Sequence, residues 1–170
     1  MALLPRQLET ERLDLRACVP TDLPELLTIQ TSAHAMRYIT GAPRTAPAVE
    51  QFLIREAGFW STRGWGYYLA RRRGDAALVA YVGLRQMDPP FAGDVEIGYV
   101  ADSHWREGYA FEALTALVEA AFRHGPWHRL LATVAKPHGA SQALARKLGF
   151  TPIGEAFYDG FDCDILARPK

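Results

Sequence analysis

Only two cysteines occur in the 170-residue chain, Cys18 and Cys163, and neither belongs to a Cys-x-x-Cys pair. Their scarcity excludes a disulfide framework, a cysteine-built zinc site and a thioredoxin-like motif, and it fits a reducing compartment, the cytoplasm. An excess of charge is missing too, since Lys+Arg and Asp+Glu both total 19 and the formal net charge is zero. The long-range field of a nonspecific nucleic-acid or membrane-surface binder is therefore absent, and neither partner is expected. No apolar run approaches the roughly 20 residues that span a bilayer, and the opening Met1-Ala2-Leu3-Leu4 is too short for a signal peptide. There is also no G-x-x-x-x-G-K-[ST] loop and no G-x-G-x-x-G after a strand, which removes the parts for nucleotide hydrolysis and dinucleotide binding.

With 49% hydrophobic and 22% charged residues, residues 1–170 read as one globular domain, able to bury roughly 70% of the extended surface. Leu13 and Leu15 alternate with Arg12, Asp14 and Arg16, predicting a half-buried strand over 8–16. Thr21-Asp22-Leu23-Pro24-Glu25 places a cap and a proline ahead of Leu26, Leu27 and Ile29, predicting a helix that ends near Ser32. Gly41, Pro43 and Pro47 make 38–47 a loop, and Val49, Phe52, Leu53 and Phe59 recur at helical spacing over 48–60. Runs 65–72 and 77–85, joined by Gly74-Asp75, predict an antiparallel hairpin. A further strand covers 94–101, with Asp94, Glu96 and Gly98 on one face and Val95, Ile97 and Tyr99 on the other.

Ala110, Ala113, Leu114, Leu117, Val118, Ala121 and Phe122 form the clearest helical stripe. Leu130-Leu131-Ala132-Thr133-Val134 is too continuously apolar for a wet face and belongs at the sheet centre. A last helix over 141–148 closes on Gly149, and strands over 150–157 and 161–167 flank an Asp159-Gly160 turn. The expected fold is α/β of the α+β type, a mixed, mostly antiparallel sheet of six to seven strands with about four helices on its faces. Arg71-Arg72-Arg73, just before Gly74-Asp75, is better read as a solvated turn than as a phosphate patch. His124 and His128 are spaced by four, but Gly125-Pro126 breaks the helix between them, so no metal site is expected.

The chemistry concentrates where the strand Glu96-Ile97-Gly98-Tyr99-Val100-Ala101 gives way to His104-Trp105-Arg106-Glu107-Gly108-Tyr109-Ala110 and the amphipathic helix. A glycine turn leading from a strand into a helix exposes first-turn N–H groups and the positive end of the helix dipole, a setting that holds pyrophosphate. Taken alone, the same glycine serves equally as a packing turn.

The order of elements and four local matches resemble the GCN5-related N-acetyltransferase (GNAT) superfamily, in particular its ribosomal-protein-alanine acetyltransferase branch. The matches are Glu9-Thr10-Glu11-Arg12-Leu13-Asp14-Leu15-Arg16, Glu96-Ile97-Gly98-Tyr99-Val100, Trp105-Arg106-Glu107-Gly108-Tyr109-Ala110-Phe111-Glu112-Ala113, and Ala140-Ser141 with Lys147-Leu148-Gly149-Phe150. The resemblance implies acetyl-CoA as cosubstrate and aligns the family's Q/R-x-x-G-x-G/A loop with Trp105 to Ala110. Trp105 replaces the usual first residue, as in the alanine-acetyltransferase branch, and main-chain N–H groups still serve. It makes Arg106, Glu107, Gly108, Tyr109 and Ala110 cofactor residues. Tyr99 and Val100 fall beside the thioester, with Val100 as pantetheine partner, and a β-strand N–H there would steady the oxyanion. His138 replaces the Asn that usually binds pantetheine.

Direct transfer needs a neutral amine, a polarised carbonyl and a proton donor for the thiolate. Asp94 falls where histone-acetylating relatives keep their basic glutamate, and Glu96 is the acid typical of the alanine-acetyltransferase branch. At i and i+2 the two carboxylates would share one cleft and raise one another's pKa, or hold a cationic substrate; a salt-bridged strand face accounts for them as well. The tyrosine that many relatives place in the last helix is Ala145 here, and Ser141, which also matches a serine kept near the cofactor sulfur, is the preferred donor; a hydroxyl satisfying helix N–H groups is its other reading. Met36 to Trp60, with Arg37, Tyr38, Arg44 and Trp60, is expected along the acceptor cleft, where its arginines would suit a carboxylate.

The sequence thus points to an acetyl-CoA-dependent N-acetyltransferase acting on a primary amine, either a protein N-terminus or a small molecule, and leaves a homodimer open. A non-catalytic acyl-CoA sensor or an interaction module on the same fold are the other classes. Ala145 with His138 favours the sensor, and Gly108-Tyr109-Ala110 argues against the module.

Overall fold

The computed structural model describes residues 3–101 and 107–170. Eight strands, β1 (Gln7–Glu9), β2 (Leu13–Ala17), β3 (Tyr67–Arg72), β4 (Leu78–Gln86), β5 (Val95–Ala101), β6 (Arg129–Ala135), β7 (Thr151–Tyr158) and β8 (Phe161–Pro169), form one sheet. Their order is β1-β2-β3-β4-β5-β6-β8-β7, and every neighbouring pair is antiparallel except β5 with β6. Among the described residues five α-helices accompany them: α1 (Leu23–Gln30), α2 (Ala33–Met36), α3 (Ala46–Thr62), α4 (Tyr109–His124) and α5 (Gly139–Lys147).

The architecture is the expected one, with two corrections to the count. The run 8–16 is a β1–β2 hairpin, because Thr10 turns the chain: its N–H donates to the Leu13 carbonyl and its hydroxyl accepts the Leu13 N–H at 2.9 Å. Alternation continues on both sides of that turn, so periodicity alone hides it. The four-residue α2 is too short to show a period, and it starts where the Ser32 hydroxyl accepts the Ala35 N–H.

Helix α4 packs against β4 and β5 through Ala113, Leu114, Leu117, Val118 and Ala121, all fully buried. Each of its large aliphatic side chains contributes roughly 1.5–3 kcal/mol by leaving water, which anchors the helix N-terminus over the C-terminal end of β5. Sheet position explains the continuous apolarity of β6, which lies between β5 and β8 with Leu130 and Leu131 buried. The Arg71-Arg72-Arg73 cluster is consumed by ion pairs: Arg71 with Asp22 and Glu25, Arg72 with Asp75, and Arg73 with Asp14 at 2.9 Å and Glu9 at 3.0 Å. No helix among the described residues is long and apolar enough to cross a membrane.

Candidate active site

Only the pair Glu96↔Leu131 joins β5 to β6, so from Ile97 to Ala101 that edge of β5 has no strand partner. The strands diverge and open a cleft with two halves. The wide half, about 690 Å³, lies between the N-terminal ends of α4 and α5; the narrow half, about 240 Å³, runs under β5 toward α3. Tyr38, Ile39, Tyr99, Val100, His138 and Leu144 line both.

In the wide half, Gly108 caps α4 in the left-handed region at φ +82°, where a side chain would be strained. The Glu112 N–H is the first to close a helical bond, 3.1 Å to the Gly108 carbonyl. The preceding N–H groups of the first turn have no carbonyl within the helix and carry its positive pole. Gly108, Ala110 and Phe111 face the cavity, with Arg37, His34 and Lys147 supplying positive or titratable groups around it. The Lys147 ammonium rests 4.0 Å over the Phe111 ring. A clasp from the first hairpin holds this corner. Glu112 accepts from the Thr10 hydroxyl at 2.5 Å, the Arg12 N–H at 2.8 Å and Arg12 Nε at 2.7 Å, while Arg12 Nη1 donates to the Glu107 carbonyl at 3.0 Å.

In the narrow half, buried Glu96 uses Oε1 to accept from Arg85, with Nε at 2.6 Å and Nη2 at 2.5 Å, whereas its Oε2 is buried with no hydrogen-bond partner. The Thr133 hydroxyl on β6 is likewise buried without a partner. A buried polar atom left unpaired costs about 1–3 kcal/mol, so two on one wall mark a place for a polar ligand. The opposite wall is an aromatic triangle, Phe52, Tyr67 and Tyr81, with centroids 5.6–5.9 Å apart. Tyr67 fits only because Gly83 and Gly98, paired across β4 and β5, lack side chains; a Cβ at either would collide with its ring or hydroxyl. Behind the triangle, Arg55 holds buried Glu56 at 3.1 Å, and burial pushes the Glu56 carboxyl up despite the arginine.

At the junction of the halves, Tyr99 on β5 and Ser141 on α5 both line the narrow half; burial raises the Tyr99 phenol, and the nearby Ser141 hydroxyl offsets part of the rise. Ser141 is buried on α5, one turn before Ala145. His138 stacks on Tyr38 at 4.5 Å and 24°, and burial, followed by the nearby His34, lowers its imidazole pKa.

Of the expected cofactor residues, Tyr99, Val100, Gly108, Ala110 and His138 line the wide half, and Ser141 lines the narrow one. The Glu107 carboxylate turns to 3.9 Å from Arg72, and the Tyr109 ring lies under Arg12 at 4.5 Å, so neither side chain lines the cavity. Arg106 lies outside the described residues. The two carboxylates expected together are separated: Glu96 lines the narrow half, but Asp94, just before β5, is held bidentately by Arg129 at 3.0 and 2.6 Å and does not line it. Trp60 is also misplaced by the sequence reading. It is a core residue donating 2.9 Å to the Tyr67 carbonyl, whereas Tyr38 and Arg44 do line the narrow half and Arg37 the wide one.

Arg85, Thr133, Tyr67 and Lys147 are the site residues that sequence reasoning passed over. Arg85 had one available signal, the β4–β5 hairpin, which places it directly opposite Glu96; Thr133 had none, being one polar residue in an apolar run.

Residues 12–151 match the family model described as an acetyltransferase (GNAT) domain. The chain is 28% identical over 152 residues to an uncharacterized N-acetyltransferase, YoaA, of Bacillus subtilis (strain 168), covering 86% of this chain and 84% of that one. Its fold is similar to that of a GNAT-family acetyltransferase from Bacillus anthracis (TM-score 0.82, 21% identity, covering 96% and 98% of the two chains). It is also similar to RimL, a ribosomal L7/L12 alpha-N-protein acetyltransferase in complex with coenzyme A (TM-score 0.79, 21% identity, covering 98% and 97%). A parallel strand pair that parts after one register pair, ahead of a glycine-capped helix, sits inside the matched span, and the chain belongs to the GNAT family of acetyltransferases.

Proposed function

We propose that the protein transfers an acetyl group from acetyl-CoA directly to a primary amine, with acetyl-CoA in the wide half of the cleft and the acceptor in the narrow half. The observation that carries this is the buried, unpartnered Glu96 oxygen beside the open edge of β5. The wide half suits the donor: the αL turn and first-turn N–H groups of α4 receive pyrophosphate, Arg37 and Lys147 add cationic charge, and the unpaired β5 edge offers main-chain groups to the pantetheine amides.

Each reacting group then has a residue. A β5 N–H beyond Glu96 polarises the acetyl carbonyl and stabilises negative charge on its oxygen during attack. Glu96 takes the amine proton on Oε2, while Arg85 keeps its other oxygen and the carboxylate geometry fixed. Ser141 protonates the leaving thiolate, with Tyr99 of β5 lining the same cavity, since the last helix carries Ala145 in place of a tyrosine. Asp94 serves as a clasp to β6 through Arg129. A cytoplasmic location follows from the same reading, as the compartment that supplies acetyl-CoA and keeps Cys18 and Cys163 reduced.

Calorimetric titration of CoA-stripped protein with acetyl-CoA, and separately with adenosine monophosphate, tests the donor half. Saturable binding of acetyl-CoA, followed by thiol release with amines, is the expected result. Absence of binding at millimolar acetyl-CoA overturns the reading, and binding without turnover on any amine turns the protein into a sensor.

A further inference from the structure

The narrow half carries an uneven set of charges. Arg55 is committed to Glu56 and Arg85 to Glu96, each within 3.1 Å. Arg44 lines the same cavity and makes no ion pair among the described residues. It is nevertheless positioned. Nη1 donates to Gln30 Oε1 at 3.2 Å, the Arg44 N–H donates to the Gln30 carbonyl at 2.9 Å, and the guanidinium lies 4.8 Å over the Phe52 ring. The Glu56 carboxyl feels its charge, but burial raises that carboxyl and Arg55 already occupies it. Arg44 and Glu96 line one cavity with the Phe52 and Tyr67 rings: the Arg44 guanidinium lies over Phe52, Phe52 packs on Tyr67 at 5.6 Å, and the Tyr67 hydroxyl reaches Gly98 on β5. The space, about 240 Å³, is below the roughly 300–1,000 Å³ of drug-sized sites.

We propose that this half of the cleft takes a small amino acid, a primary amine that carries its own carboxylate, with the carboxylate on Arg44 and the amine at Glu96 Oε2. The assignment rests on the acetyl-transfer reading above and names its acceptor class. A planar guanidinium already stacked on a ring presents its remaining N–H groups to a carboxylate without ordering cost, and the aromatic triangle covers the carbon skeleton. In the reaction the amine nitrogen forms the amide bond as the thioester C–S bond breaks; the amine proton goes to Glu96, the thiolate takes one from Ser141, and Ser141 regains a proton from water as Glu96 releases its own, giving an N-acetyl amino acid and CoA.

The test is thiol release from acetyl-CoA with matched pairs, L-phenylalanine against phenethylamine and γ-aminobutyrate against butylamine, in wild type, Arg44→Met and Arg44→Lys. The readout is the ratio of kcat/KM for acid over amine within each pair. At least one pair should favour the acid about tenfold or more in wild type; for that pair Arg44→Met lowers the ratio about 10- to 100-fold, the size of lost hydrogen bonds to a charged group, and Arg44→Lys falls between. Ratios near one in both wild-type pairs, a ratio unmoved in Arg44→Met, or faster acetylation of neutral N-terminal peptides than of either amino acid overturns the proposal. No thiol release with any amine would count against acetyl transfer instead. Ligand-observed NMR then reads the subsite alone: amino-acid binding that Arg44→Met abolishes upholds it, and no binding overturns it.

Discussion

The two halves of the cleft are built from different materials. The wide half centres on backbone, a left-handed glycine, the first turn of α4 and an unpaired strand edge, bordered by Arg37, Phe111 and Lys147. The narrow half is made of side chains from several elements, with Arg44 ahead of α3, Glu56 on α3, Tyr67 on β3, Arg85 on β4, Glu96 on β5 and Thr133 on β6. Backbone groups recognise phosphates and amides whatever surrounds them, so the first half suits a donor shared by many enzymes. Side-chain charges on rigid strands discriminate among acceptors, so the second half is the one suited to setting acceptor choice.

That division is tested most severely at Glu96. Glu96→Gln keeps the shape and a contact for Arg85 but removes the proposed proton acceptor, and kcat should fall about 10²- to 10⁴-fold. Acetyl-CoA affinity, measured by calorimetry, should move by less than about threefold because the uniform binding interactions lie in the other half. Parallel losses in kcat and affinity would dissolve the distinction between the halves. The reciprocal change is Gly108→Val. A β-branched residue at φ +82° costs about 1–2 kcal/mol of left-handed strain, or about 5- to 30-fold in acetyl-CoA affinity if the loop relaxes away from it. An unchanged dissociation constant would show that the turn does not carry the donor.

The same contrast governs what could be read from the sequence. The wide half was legible because its features are local: a glycine before a helix, a strand before that glycine, and a motif contiguous in the chain. Even there the reading stopped at main-chain roles, since nothing local says that Glu107 and Tyr109 turn toward Arg72 and Arg12. The narrow half was largely illegible because its contacts are non-local. Arg129 captures Asp94 across 35 positions, and that single ion pair removes one of the two expected bases from the cleft. Trp60 looked like an acceptor residue by composition, but helix phase turns it inward to the Tyr67 carbonyl. The β1–β2 turn was hidden for the opposite reason: its flanks keep the alternation of one continuous strand.

A smaller effect probes how the wide half is held in place. The motif match near Thr10 and Arg12 and the one containing Glu112 are about a hundred positions apart in sequence but one clasp in space. Glu112→Gln weakens it, and because Arg12 is 44% exposed the loss is discounted to about 1 kcal/mol. Burial alone would raise the Glu112 carboxyl, but Thr10, the Arg12 N–H and the guanidinium together hold it below its ordinary value. A depressed carboxyl gives its full stability above the ordinary glutamate value of about 4.3, and loses it as pH falls through the lowered folded one. Urea unfolding should therefore separate wild type from Glu112→Gln at pH 7 and bring them closer at pH 3. A gap that stays constant would mean that packing of the side chain, and not its charge, secures α4.

The smallest effect belongs to the wall between the halves, where His138 stacks on Tyr38 with His34, Arg37 and Lys147 also bordering the wide side. Burial first, and His34 second, lower the His138 imidazole, so the unfolded chain takes up a proton before the folded protein does. Stability owed to His138 is complete above the ordinary histidine value of about 6.5 and is lost as pH drops toward the lowered folded one. His138→Asn removes that titration while keeping a hydrogen-bonding side chain at the α5 N-terminus. The fall in thermal midpoint between pH 7.5 and 5.5 should then be smaller in the variant than in wild type, since carboxylates elsewhere titrate alike in both. Equal falls would place the pH response outside this stack, and a larger fall in the variant would mean that the imidazole, once charged, finds a partner that the neutral wall lacks.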